Sequence, residues 1–235
     1  MKTNGCMLVD MHNHTRVSSP DSCVPPEELI RLCRNRGLNA ICVTEHFLIE
    51  GANVAREIGQ RMNFPVFRGI EARTEMGDML VYGYYRDIPE FIPLADLCRM
   101  VHEAGGLVFA AHPYRAEGID LYSCMRDCGL NLDRDWFRMP ALSGLDGLEV
   151  INGKNLDLVN LKASLLASQL NLRGIGGSDA HHHDHVATAA TRFNRPLLNE
   201  EDFLNALRGE EYHAIYLPSR LDNYLQDLCR DRVSL

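Results

Sequence analysis

The sequence predicts an α/β protein in which short buried strands alternate with helices. Three observations carry this prediction: apolar runs of four or five residues recur along the chain, turn residues bound them, and helix-length segments separate them. The apolar runs span residues 6–9, 40–43, 66–70, 107–111 and 172–176. Strands of this kind pair in parallel, and about seven strand–helix units would close into a barrel.

Helix signals lie between these runs. The first helix is predicted to begin at Pro25-Pro26 and to end near Gly37, because proline suits the first turn and glycine the position past the end. Apolar spacing predicts further helices over 53–62, 92–104, 119–128, 156–170 and 200–209, and strands over 145–151 and 212–216.

One stretch departs from strict alternation of strand and helix. Residues 79–84 have the composition of a strand and follow Glu71 too closely for a helix to intervene. Together with 72–74 they predict an antiparallel hairpin that turns at Met76-Gly77-Asp78.

Metal-ligand residues follow each of the five apolar runs. His12 and His14 come directly after the first run, and side chains two apart on a strand share one face. The other four runs lead into His46, Glu71, His112, and the pair Asp179 and His181. In a barrel the carboxyl ends of parallel strands converge on one mouth, so the sequence predicts a metal site there.

Length and charge narrow the class of protein. A chain of 235 residues with 46% hydrophobic content predicts a single domain over 1–235. The net charge of −8 argues against binding of long nucleic acids, which requires basic patches. We find no signal-peptide pattern and no apolar run of membrane-spanning length. Eight cysteines without a CxxC pair predict free thiols and a cytoplasmic location.

The motifs taken together resemble the PHP (polymerase and histidinol phosphatase) superfamily. They occur in family order from residue 8 to about 195. The matching segments are Asp10-Met11-His12-Asn13-His14-Thr15, Ser19-Pro20-Asp21, Thr44-Glu45-His46, Gly69-Ile70-Glu71, His112-Pro113-Tyr114-Arg115, Gly147-Leu148-Glu149-Val150-Ile151-Asn152-Gly153 and Gly177-Ser178-Asp179-Ala180-His181. The resemblance implies a distorted (β/α)7 TIM-like barrel that hydrolyses phosphate esters with two or three divalent ions.

The resemblance also implies a set of metal ligands. One ion would be held by His12, His14, Glu71 and Asp179, a second by Glu71 and His112, and a third by Asp21, His46 and His181. Imidazole and carboxylate donors together suit Zn²⁺, Mn²⁺ or Fe²⁺.

Two positions depart from the family pattern. Glu45 stands where the family has Asp, and the longer side chain predicts a supporting role; Asp78 stands where some members have a histidine ligand. Asp10 is expected to orient a ligand imidazole. Glu149 and Asn152 end a strand at the same mouth, and either could complete the second ion's shell.

A phosphate substrate needs cationic donors near the ions. Arg115, Lys154 and Arg192 are the candidates. The implied mechanism is in-line attack by a metal-bound hydroxide, with Arg115 assisting. His46 or His181 would give a proton to the leaving oxygen where that residue is not saturated by metal.

Three functions stay open on this sequence. The first is a phosphatase for a small phosphomonoester of the nucleotide or histidinol phosphate type. The second is a 3′–5′ exonuclease or short-oligonucleotide phosphodiesterase, and the third a non-catalytic metal-binding regulatory module. The segment 116–140, with Trp136 and Phe137, is predicted to set specificity. The sequence leaves the oligomeric state open.

Overall fold

A single mixed sheet organises the backbone in the computed structural model, which describes residues 5–115, 121–127, 129, 135, 140–209 and 212–218. Nine strands are formed within these residues: β1 Met7–Asp10, β2 Ala40–His46, β3 Val66–Thr74, β4 Gly77–Tyr82, β5 Leu107–Ala110, β6 Gly147–Asn152, β7 Arg173–Gly177, β8 Ala189–Phe193 and β9 Tyr212–Tyr216. Six α-helices accompany them in the described ranges: α1 Pro26–Asn35, α2 Glu50–Arg61, α3 Leu94–Glu103, α4 Leu121–Asp127, α5 Asp157–Leu170 and α6 Glu200–Arg208.

The sheet is curved into a nearly closed barrel. Its strand order is β7-β6-β5-β4-β3-β2-β1-β8-β9. The pairs β1–β2, β2–β3, β5–β6 and β6–β7 are parallel, whereas β4 and β8 are antiparallel to both of their neighbours. The chain after β1 meets the end of β7, where Met11 N donates to Gly176 O (3.4 Å) and Asp179 N donates to His12 O (2.8 Å).

Alternation along the strands separates two cores. One cluster of buried residues fills the barrel and includes Cys42, Phe67 and Tyr82. The intervening residues, such as Ile41 and Val81, belong to the larger cluster between sheet and helices. Phe203 of α6 closes the barrel at the end opposite the mouth: its ring stacks on Phe67 at 4.5 Å and meets Tyr82 edge-on at 5.6 Å.

The predicted α/β barrel is confirmed, including the hairpin, which β3 and β4 form with a turn at Glu75 and Met76. β8 was not predicted, because Ala-Ala-Thr-Arg-Phe has neither a long apolar run nor clean alternation. α4 lies within the helix expected over 119–128, but most of the segment 116–140, with Trp136 and Phe137, lies outside the described residues.

The hydroxyl of Tyr82 connects the barrel core to the mouth. It is fully buried and donates to Met11 O at 2.9 Å, directly before His12. Tyr82→Phe leaves a buried carbonyl without this donor, so we expect the free energy of unfolding to fall by about 1–3 kcal/mol. Chemical denaturation of both proteins measures the loss. Tyr84→Phe, at a partly exposed position, is the matched control, and equal stability of both variants would contradict the prediction.

Candidate metal centre

The inward-facing positions of four strands end in polar side chains at the mouth. In β3 the inward series runs through Phe67 and Gly69 to Glu71, and in β2 it runs through Cys42 to His46. The same alternation brings Glu149 of β6 and Asp179, just after β7, into the mouth. Apolar residues therefore fill the lower barrel, while the next positions on the same faces carry the predicted ligands.

Four predicted ligands converge on one point. His12 Nε2 and His14 Nε2 are 3.0 Å apart. Glu71 brings Oε1 to 3.4 Å from His12 Nε2 and Oε2 to 3.3 Å from His14 Nε2. Asp179 Oδ1 lies 3.7 Å and 3.6 Å from the same two nitrogens. His12, His14 and Glu71 form a donor group: each offers one possible metal-ligand atom, and these three atoms all lie within 4.8 Å of one another.

These spacings fit ligands of a single divalent ion. Two nitrogens bound at ~2.1 Å with an angle between 90° and the tetrahedral value lie roughly 3.0–3.4 Å apart. The distance of 3.0 Å between the two imidazole nitrogens is at the lower end of that range. The distances of 3.3 Å and 3.4 Å from these nitrogens to the Glu71 oxygens are at its upper end. Buried imidazoles and carboxylates gathered around one point form a donor set of the kind that transition-metal ions bind.

A second donor group shares Glu71. It consists of Glu71, Asp78 and His112, and His112 Nε2 lies 3.1 Å from Glu71 Oε1. Asp78 stands on β4, opposite Arg73, whose Nε lies 3.2 Å from its Oδ1. The sequence left a ligand role for Asp78 in doubt; the structure places its carboxylate beside the predicted second-ion residues.

A third donor group contains His14, His46 and His181. Asp21 Oδ2 lies 3.2 Å from both His46 Nε2 and His181 Nε2, and His46 Nδ1 lies 3.1 Å from Glu71 Oε2. The structure thus brings together all eight predicted ligands. Asp21 is the most exposed of the eight predicted ligands, since more than half of its side-chain surface is accessible.

Glu149 orients His12. Its Oε1 lies 3.1 Å from His12 Nδ1, and its Oε2 accepts from His112 N at 2.9 Å and from Asn152 Nδ2 at 3.0 Å. A carboxylate on the far nitrogen fixes the ring and leaves Nε2 for a metal. A register shift between Glu149 and Ile151 turns Asn152 to the same side, which spacing along a regular strand would not predict.

The expectation that Asp10 orients an imidazole is wrong. Its Oδ1 accepts from the backbone nitrogens of His12 (3.3 Å) and Ser178 (2.8 Å), so it joins the two metal-binding segments through their main chain. Burial raises the pKa of Asp10 to about 7, and the hydrogen bonds from Ser178 oppose that shift. Glu149 takes the role that the sequence gave to Asp10.

Glu45 acts on His14 through a serine. Ser19 Oγ donates a short hydrogen bond to Glu45 Oε2 and lies 3.1 Å from His14 Nδ1. If His14 donates from Nδ1, its Nε2 lone pair faces the ligand cluster. The longer side chain of Glu45 fits because a glycine lies opposite it: a Cβ at Gly51 would be 2.3 Å from Glu45 Oε1. The predicted supporting role of Glu45 therefore has a structural basis.

The charges of the cluster favour a cation. Burial opposes protonation of His12, yet the neighbouring Glu149 and Glu71 raise its pKa to about 9. His14 is surrounded differently: burial holds its pKa well below the ordinary value, so it stays neutral. Although burial opposes its ionisation, His12 and His112 hold the pKa of Glu71 well below the usual range. A divalent ion would take the place of the proton that His12 carries without it.

Backbone conformation at two ligands is unusual. His112 has φ of 27° and Asp179 has φ of 53°, both in the left-handed region that non-glycine residues rarely adopt.

The end of β7 packs so closely against the segment that carries His12 that no side chain fits between them. A Cβ at Gly177 would lie 2.5 Å from His12 Cβ, so only glycine permits this approach.

Two of the three predicted cations lie at the mouth. Arg115 forms an ion pair with Asp179 Oδ2, and Lys154 Nζ lies 3.7 Å from the same oxygen. Arg192 is placed elsewhere: it is exposed on β8 and pairs with Leu8, toward the start of β1 and away from the mouth. The prediction that Arg192 contacts substrate is wrong, because β8 runs antiparallel and carries this residue away from the ligands.

Comparison with known proteins identifies the class. The PHP domain model matches residues 10–135, and a model described as PHP-associated matches residues 158–211. The first match covers more than half of the chain and contains six of the eight predicted ligands. The chain belongs to the PHP domain family, whose members are metal-dependent hydrolases.

Two curated relatives and one solved structure illustrate the likeness. An uncharacterised Methanocaldococcus jannaschii protein is 26% identical over 160 residues, which is 64% of this chain and 85% of the relative. The PolC-type DNA polymerase III of Oceanobacillus iheyensis is 34% identical over 64 residues, 27% of this chain and 4% of that polymerase. The crystal structure of PsfC from Pseudomonas syringae PB-5123 superposes with a TM-score of 0.67 at 19% identity, covering 98% of this chain and 100% of PsfC.

Among the described residues, no helix is both long and apolar enough to cross a lipid bilayer.

The serine between Glu45 and His14 offers a direct test of the outer hydrogen bonds. Ser19→Ala removes the link while leaving all eight predicted ligands in place, and we expect metal affinity to fall about 10–100-fold. Titration of metal-free protein against a chelating indicator measures the change. Ser164→Ala, which removes a hydroxyl from the outside of α5, is the control. Unchanged affinity in Ser19→Ala would show that the link does not orient His14.

Proposed function

We propose that this protein is a metal-dependent phosphatase that acts on a small phosphomonoester. The observation that carries the proposal is the position of two cations at the edge of the ligand cluster. Arg115 and Lys154 reach the outer oxygen of Asp179, whose other oxygen faces the ligand nitrogens of His12 and His14. A dianionic phosphate between ions and cations would meet positive charge from both sides.

A small cavity next to these cations supports a small substrate. It has a volume of about 390 Å³ and is lined by Arg115, Lys154, Asn155, Leu156 and Val159. Sites for small molecules commonly measure ~300–1,000 Å³ and combine apolar walls with a few placed polar groups. Burial lowers the pKa of Lys154, and the adjacent Arg115 lowers it further. An anion bound between the two cations would relieve their repulsion.

The ions held by the eight ligands would supply Lewis acidity toward a phosphate oxygen and toward a water molecule. The protein's own groups do the rest. Arg115 and Lys154 bind and orient the phosphate, and Glu149 and Ser19 hold the two central imidazoles in position. We propose His46 or His181 as the proton donor to the leaving oxygen in the form of the enzyme in which no third ion occupies that imidazole. Both reach Asp21 at the exposed side of the cluster, where a leaving group could depart.

Hydrolysis of short oligonucleotides is the second candidate. It is favoured by the likeness of 64 residues to a PolC-type DNA polymerase III. The same ligands and cations would serve a phosphodiester, which carries one negative charge rather than two. The net charge of −8 makes long nucleic acids poor substrates, but it weighs little against di- or trinucleotides, which carry few phosphates.

Loss of a predicted ligand tests the hydrolase proposal. We expect His112→Ala and Asp179→Asn each to lower metal-dependent turnover of an aryl phosphate more than a hundredfold, since groups at a reacting centre commonly cost this much. Removal of metal from the wild type with a chelator should abolish activity, and added Mn²⁺ or Zn²⁺ should restore it. A loss below about tenfold in both variants would contradict the ligand assignment.

Substitution of Arg115 and of Arg192 distinguishes a contact with the substrate from a general effect of surface charge. Arg115→Ala should lower kcat/KM for a phosphomonoester about 10–100-fold, because a charged hydrogen bond to the phosphate is lost. Arg192→Ala should leave it unchanged, since that side chain is exposed and distant from the mouth. Measuring both on an aryl phosphate and on its diester distinguishes the candidates. Faster turnover of the diester or of dinucleotides by the wild type would favour the oligonucleotide phosphodiesterase.

A further inference from the structure

A second group of metal-ligand side chains lies at the rim of the mouth and shares no residue with the centre described above. Cys23 Sγ is 3.3 Å from His182 Nδ1 and 4.0 Å from His183 Nδ1. Cys23 and His182 are exposed, and His183 is partly exposed. We propose that Cys23, His182 and His183 form a separate site for a thiolate-preferring metal ion, Zn²⁺ above all.

The distances suit a thiolate and imidazoles around one ion. With Zn–S of ~2.3 Å and Zn–N of ~2.05 Å, a tetrahedral angle places sulfur and nitrogen roughly 3.6 Å apart. The two observed separations lie on either side of that value. The ring nitrogens of His182 and His183 are more than 4.8 Å apart, so binding of one ion requires the exposed His182 side chain to move toward His183. Binding would release the thiol proton to solvent, as metal–thiolate bonds require.

The orientation of His183 is already that of a ligand. Its Nε2 lies 3.0 Å from Glu28 Oε2, at the first turn of α1. With the proton on Nε2 donated to this carboxylate, the lone pair of Nδ1 faces Cys23. A carboxylate on the outer nitrogen of a metal-bound histidine is a recurrent arrangement, and Glu149 takes the equivalent position on His12 in the main centre.

The backbone holds the two segments of this rim site together without a metal. Cys23 N donates to His181 O at 2.9 Å, and Ser22 Oγ donates to the same oxygen at 3.4 Å. Asp21 and His181, predicted ligands of the third ion, stand next to these residues on the same two loops. An ion at the rim would therefore tie together the loops that carry the most exposed part of the catalytic centre.

The sulfur ligand makes the rim site distinguishable from the main centre, whose eight predicted ligands contain no cysteine. Cobalt titration of the untagged, metal-free full chain should produce a near-ultraviolet thiolate-to-Co²⁺ charge-transfer band, and Zn²⁺ should remove it. In Cys23→Ser we expect the band to vanish and one metal equivalent per chain to be lost. Cys6→Ser, at a partly buried thiol on the start of the sheet, is the control and should retain both.

Variants of the imidazoles complete the test. His183→Ala should weaken Co²⁺ binding at this site at least tenfold, and Glu28→Gln should weaken it about 10–100-fold while the band is kept at saturation. A wild type without the band at excess Co²⁺, or a Cys23→Ser variant that keeps it, would overturn the proposal. Neither result depends on phosphatase activity, so the rim site and the proposed hydrolase function fail or stand independently.

Discussion

The carboxylate of Glu71 is the contact on which the rest of the mouth depends. It is almost fully buried, and its two oxygens lie within 3.4 Å of nitrogens from His12, His14, His46 and His112. Those four imidazoles come from three different strand ends, so one side chain fixes their mutual distances. A buried carboxylate this deeply surrounded is stable only with positive charge beside it. Cations bound at the mouth would therefore stabilise the folded barrel, whether or not they also promote a reaction.

Much of this arrangement follows from local rules that a sequence displays. Side chains alternate along a strand, so Glu71 lies on the same inward face of β3 as Phe67 and Gly69. Because the carboxyl ends of parallel strands converge on one mouth, the residues that end the other strands lie close to Glu71. Apolar runs that stop at His, Glu or Asp therefore predicted the barrel and seven of the eight clustered ligands. Asp21 follows no such run, and only the resemblance to the PHP superfamily pointed to it. The hairpin of β3 and β4 was also visible, since too few residues separate the two runs for a helix.

The remaining features depend on contacts between residues far apart in the chain. Arg192 looked like a phosphate ligand because nothing local reveals that β8 runs antiparallel and carries it away from the mouth. Glu149 reaches His12 across 137 positions, and a bulge re-aims Asn152, so neither role could be assigned from spacing. The pairing of Glu45 with Ser19 depends on the open space at Gly51, on a different element. Asp78 joins the ligands only because β4 pairs with β3.

The left-handed backbone at His112 and Asp179 bears on how this protein would respond to engineering. Each residue holds a conformation that costs of order 1–3 kcal/mol for a side chain other than glycine. Replacement by glycine relieves that strain and removes a donor atom at the same time. Selection for heat resistance alone would thus favour the loss of these ligands, and libraries screened without a metal or activity criterion would drift toward well-folded barrels with an incomplete site. Stability and ligation are in competition at these two positions.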